Sequence, residues 1–104
     1  MLCVSTPDIA GREIKEVLGV VTGNVVQSKH VGRDIMAGLK TIFGGEIRGY
    51  TEMLTEARQK ATGRAIAEAE AMGADAIVNV RFTTSAIMQG ASEILVYGTA
   101  VKLG

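Results

Sequence analysis

One cysteine, Cys3, and one histidine, His30, are the soft-metal ligands of this 104-residue chain. Structural zinc takes four Cys or His ligands and catalytic zinc about three plus a water, so a single copy falls short of either. A cyclic assembly could supply the rest, because it gathers copies of one residue around an axis or pairs residues across each interface. Cys3 and His30 are therefore the metal candidates, weighed against a small buried thiol and a surface histidine that titrates near neutral pH. The same two residues would have to meet in space for Cys–His nucleophilic chemistry, and they stand far apart in the sequence. Gly44 to Thr51 imitates a phosphate loop, with four residues between Gly44 and Gly49 and then Tyr50-Thr51 where a lysine and a hydroxyl residue would follow. The lysine that reaches the phosphates is missing and a helix, not a strand, precedes the loop, so nucleotide binding is rejected. The helix start at Thr51 could still hold an anion on its backbone N–H groups, with Arg48 nearby.

Charge and composition narrow the choice further. The 11 acidic residues match the 11 basic ones, which leaves no field to attract nucleic acid or an acidic membrane surface. The apolar fraction is 47% but aromatics make up only 4%, so the apolar surface is mostly small and aliphatic and could leave area over for partners. No apolar run approaches the roughly 18 to 20 residues that span a bilayer. The lone cysteine excludes an internal disulfide, and the N-terminus has neither the basic flank nor the apolar run of a signal peptide. Residues 1–104 are expected to form one domain, and the expected location is the cytoplasm.

The elements that must position these residues follow from periodicity. Leu2 to Ser5 reads as a short strand, turned by Thr6-Pro7-Asp8. From Ile14 to Val25 apolar residues fall on both faces of an extended segment interrupted by Gly19 and Gly23, which predicts a strand buried on both sides or one bulged at a glycine. Val31, Ile35, Leu39 and Ile42 recur at helical spacing, which predicts a short helix from Gly32 to Phe43, and Gly44-Gly45 ends it. A long helix follows, with Thr51 as N-cap, Glu52 at its positive end, a stripe of Leu54, Ala57, Ala61, Ala65, Ala69 and Met72, and Gly73 as the stop. Gly63 in its middle either admits another backbone or is tolerated on the exposed side. Ala76 to Thr84 alternates, with Ala76, Val78, Val80 and Phe82 on one face and Ile77, Asn79, Arg81 and Thr83 on the other. After the polar turn Gln89–Ser92, Glu93 to Leu103 forms a last strand that is apolar on both faces.

The order ββααββ predicts an α+β fold, a small antiparallel sheet packed by one short and one long helix, rather than a Rossmann-type alternation. Helices on one side leave the second face of the sheet to be covered by another copy of the chain or by a segment folding back over it.

Several short stretches together carry a resemblance: Val21-Thr22-Gly23, Arg33-Asp34 with Ala37-Gly38, Gly44-Gly45 followed by Tyr50, Leu54 with Ala57-Arg58, Gly73-Ala74-Asp75-Ala76, and Gly98-Thr99-Ala100-Val101. In order and spacing they resemble the YbjQ-like family of small bacterial and archaeal proteins, described as heavy-metal-binding domains, over nearly the whole chain. The resemblance implies a dodecin-like subunit in a closed cyclic pentamer and a divalent or heavy metal ion as the possible cofactor. It also singles out Arg33, Asp34 and Arg58, which stand inside the matching stretches and read either as a structural ion pair between helices or as ligand contacts. The function expected is a non-enzymatic homopentameric binding or scaffold protein, partnered by itself and by neither nucleic acid nor membrane. The alternative is a small-molecule binder or enzyme with a pocket between subunits, as dodecins hold flavin.

Overall fold

The computed structural model describes residues 1–27, 48–88 and 91–104. They form a small α+β fold, a four-stranded mixed sheet with one helix across it. The strands are β1 (Leu2–Cys3), β2 (Ile14–Gln27), β3 (Ala76–Met88) and β4 (Ala91–Leu103), and the helix is α1 (Arg48–Ala71). The short helix expected over 32–43 lies outside the described residues. Across the sheet the order is β1-β3-β4-β2, with β4 antiparallel to both of its neighbours. The expected all-antiparallel sheet is corrected at its edge: β1 lies parallel to β3, Leu2 opposite Ala76 and Cys3 opposite Ile77. Beyond β1 the chain keeps to β3, because the Val4 N–H donates to the Ile77 carbonyl and the Asn79 and Val80 N–H groups donate to the Thr6 and Val4 carbonyls.

Helix α1 packs by its alanine stripe. Ala57, Ala61, Ala65 and Ala69 are buried, the last three against Val21 of β2, Ile77 of β3 and Val96 and Ala100 of β4. Side chains this small bring the helix down onto the sheet, and Gly23 of β2 receives it backbone to backbone. The helix begins at Arg48, so Thr51 is its fourth residue instead of its cap, and no acidic residue occupies the first turn. Its end is as expected. Gly73 takes φ +79°, its N–H donates to the Glu70 carbonyl, and the Ala74 N–H donates to the Ala69 carbonyl, the paired bonds of a left-handed helix stop.

Two bulges set which side chains face the helix. In β2 the register shifts between Val17 and Gly19, where Gly19 has φ +135°, and Leu18 turns toward the helix-side core. In β3 it shifts between Val78 and Arg81, with Asn79 at φ +54°. An inserted residue inverts the alternation after it. Val80 and Phe82 thus join Ile77 on the helix side, not Ala76 and Val78 as strict alternation predicts.

Among the described residues the far face of the sheet is only half covered. Val4, Ile9, Ile14 and Leu103 close over Ala76, Val78 and Val101, so an N-terminal segment folds back across one end. Along β2, Val17, Val20 and Val26 are 65%, 67% and 56% exposed, with Tyr97 opposite Thr22, so among the described residues β2 is not buried on both sides. The described residues measure 53 × 26 × 17 Å with a radius of gyration of 16.8 Å, against about 13 Å for a compact domain of this length.

Candidate functional site

Cys3 sits in the two-residue strand β1, half-buried, and packs against the helix-side core beside its register partner Ile77. Its Sγ lies 4.0 Å from the Met1 carbonyl oxygen. Burial pushes the thiol above its ordinary pKa, with the N-terminal ammonium pulling weakly the other way. A soft metal binds the thiolate, so this environment works against Cys3 as a ligand near neutral pH. Among the described residues no three His, Cys, Asp or Glu side chains come together in a way that could hold a metal ion. The described part of a single copy therefore does not fit a metal centre. His30, Arg33 and Asp34 lie outside the described residues.

Arg58 is placed at a groove. Because α1 lies over β2 and β4 and barely touches β3, a trough of about 450 Å³ runs between the helix and β3, lined by Thr55, Arg58, Gln59, Thr62, Gly63, Ile66 and Phe82. Phe82, 49% exposed, supplies an aromatic wall, and Ile66 is its half-buried apolar neighbour. The Arg58 Nη2 donates to Thr55 Oγ1 at 3.4 Å, and the Thr62 hydroxyl donates to the Arg58 carbonyl at 2.8 Å. One turn away Lys60 and Glu56 form the expected i,i+4 pair at 3.4 Å, exposed and worth about 0.3–0.5 kcal/mol. The groove can receive a flat apolar body against Phe82 and an anionic group at Arg58. Its two threonine hydroxyls have no base beside them among the lining residues.

Sequence reasoning missed Phe82 as a lining residue because the Asn79 bulge moves it to the other face. Gly63 was a usable signal. It is exposed, a Cβ built on it meets nothing within 4 Å, and glycine at mid-helix costs about 0.8–1 kcal/mol against alanine. The close backbone approach in this fold is made by Gly23 instead. Arg81, on the semi-polar face of β3, is structural: its Nη1 donates to the Ser5 carbonyl at 2.8 Å and to the Val80 carbonyl at 3.0 Å, tying the N-terminal segment to the bulge. Asp75 accepts from the Leu103 N–H at 2.9 Å and holds the end of β4.

Known proteins resemble this chain over its full length. The model of the YbjQ_1 family, "Putative heavy-metal-binding", matches residues 1–104. A "UPF0145 protein" of Photobacterium profundum is 84% identical over 99% of this chain and 100% of its own. One from Colwellia psychrerythraea is 69% identical over 99% and 98%, and one from Thermosipho melanesiensis 64% over 99% and 95%. Among solved structures, a protein with unknown function of the DUF74 family from Pediococcus pentosaceus shares the fold, with a TM-score of 0.62 at 18% identity, covering 100% of this chain and 98% of that one.

Proposed function

The chain belongs to the YbjQ_1 family, and from that premise we propose that it is a non-enzymatic homopentamer, a binding or scaffold protein whose dodecin-like subunits close into a ring in the cytoplasm. The observation that supports this best is the half of the far face that the described residues leave uncovered, where Val17, Val20 and Tyr97 are exposed on an elongated set of elements. Apolar residues left bare on an elongated subunit are what burial against identical neighbours would remove. Metal binding, by which the family is described, would draw on ligands from more than one copy, with Cys3 and His30 as the soft donors.

Native mass spectrometry with elemental analysis of the purified protein tests both parts. A five-subunit mass is expected, and a one-subunit mass at working concentration sinks the assembly. If the metal part holds, titration with zinc, copper or cadmium raises the melting temperature, and Cys3→Ser or His30→Ala abolishes the rise. A pentamer whose melting ignores all three metals refutes it.

The groove at Arg58 and Phe82 favours a second reading, a small-molecule site completed between subunits. A metabolite panel that produces no thermal shift and no retained mass counts against it.

A further inference from the structure

The groove between α1 and β3 has a shape and a charge that together narrow its ligand. Gly23 lies under the turn Ala61–Ala65 of α1 and pairs with Val96, which pairs on its other side with Phe82. Phe82 therefore stands level with that turn, across the groove from Thr62 and Gly63. Gly63 gives the helix wall no side chain there. A Cβ built on it meets nothing within 4 Å, so no contact in the described chain requires this glycine, which weakens the helix that carries it. An aromatic ring and a stretch of bare helix backbone thus face each other across a slot fit for a flat ring. Arg58 stands about one helical turn, roughly 5 Å, nearer the start of α1. It is exposed, and among the described residues its guanidinium meets only the Thr55 hydroxyl, at 3.4 Å. No other described residue lining the groove is charged, and the neighbouring Lys60 is engaged with Glu56.

We propose that this groove binds an aromatic carboxylate, its flat ring system between Phe82 and the Gly63 backbone and its single carboxylate on Arg58. This rests on the small-molecule reading and names its ligand class. The fork of a guanidinium matches one carboxylate with two parallel N–H···O bonds, and one positive charge offsets one negative charge. A phosphate dianion would bring a second charge that no other described lining residue neutralises. Thr55, which accepts from Arg58, keeps its own O–H proton to donate to the same carboxylate. A volume of about 450 Å³ lies in the range of small-molecule sites and exceeds what one six-membered ring fills, which favours a fused bicycle.

The probe is 2-naphthoate, whose fluorescence stands clear because the chain has no tryptophan. In titrations of the full-length protein it is expected to bind about tenfold tighter than 2-naphthamide, which keeps the ring and loses the charge, and tighter than 2-naphthyl phosphate. Arg58→Gln is expected to remove the preference for the acid and to leave the amide's affinity unchanged. Gly63→Leu is expected to abolish binding of both while raising the melting temperature by a few degrees, because leucine is the better helix former, so its loss of binding is not a loss of fold. Equal affinity for acid and amide, or tighter binding of the phosphate, overturns the carboxylate class and leaves a small-molecule site standing. An unchanged preference in Arg58→Gln, or parent affinity in Gly63→Leu, moves the ligand out of this groove and overturns the proposal. If none of the three probes binds, the proposal falls, and the small-molecule reading falls with it only where the metabolite panel is silent as well.

Discussion

Gly23 of β2 lies so close under Ala61 of α1 that a Cβ built on it would stand 1.9 Å from the Ala61 carbonyl oxygen and 2.7 Å from the Ala65 nitrogen. Both obstacles are helix backbone, which cannot swing aside as a side chain would. The contact sets the depth at which the helix rides on the sheet, and through that depth the shape of the groove at Phe82.

Gly23→Ala must therefore lift the helix. The expected cost is about 3 kcal/mol, the upper end of the usual range for overpacking. Urea unfolding checks it: the midpoint falls, with an unchanged slope if the denatured state is unaffected.

The Asn79 bulge gives a second test. A left-handed backbone costs a branched or bulky residue about 1–2 kcal/mol, and asparagine and glycine tolerate it. Asn79→Val should lower the melting temperature by roughly 4–8 °C per kcal/mol lost, and Asn79→Gly should leave it nearly unchanged. Equal losses in both would show that the Asn79 side chain, and not its φ of +54°, is what matters.

Arg81 ties the N-terminal segment to β3 through Ser5. Arg81→Met keeps the stem and removes the donor, at an expected cost of about 1 kcal/mol. Hydrogen exchange locates the effect, since the amides of Val4, Asn79 and Val80 should lose protection while those of α1 keep theirs.

The Cys3 thiol titrates higher folded than unfolded because burial disfavours the thiolate. Below its ordinary value of 9.0 both states hold the proton and the group adds no pH dependence. As pH rises through 9.0 toward the raised value the unfolded chain releases its proton first, so stability falls. Melting profiles from pH 7 to 10.5 should show a decline that Cys3→Ala reduces. An identical decline in that variant assigns it to other groups.

Local chemistry was legible in the sequence. The spacing of Ala57, Ala61, Ala65 and Ala69 gave the buried stripe and Gly73 the helix stop, while a bulge in β2 was one of two alternatives, at either Gly19 or Gly23. What escaped was settled by partners distant in the chain. Two residues, Leu2 and Cys3, carry too little pattern to disclose a parallel pairing with Ala76 and Ile77. The alternation read through Asn79 assumed no inserted residue, and that single step put Phe82 on the wrong face. Gly23 looked like one more interruption of a strand, because its reason is a helix carbonyl some forty positions on. Of the candidate site, Arg58 was singled out only by the family resemblance, and the groove around it was not legible, since the groove depends on how far the helix stands from β3.

The register also decides where the chain can be handled. Leu2 lies opposite Ala76, which lies opposite Val101, and the Gly104 N–H donates to the Glu13 carbonyl at 2.8 Å. Both termini thus emerge at one end of the sheet, and β3 runs from Ala76 at that end past Phe82 toward the other. A reporter domain fused at either terminus would leave the groove at Phe82 clear, so live-cell energy transfer between differently coloured copies could follow association without obstructing a ligand.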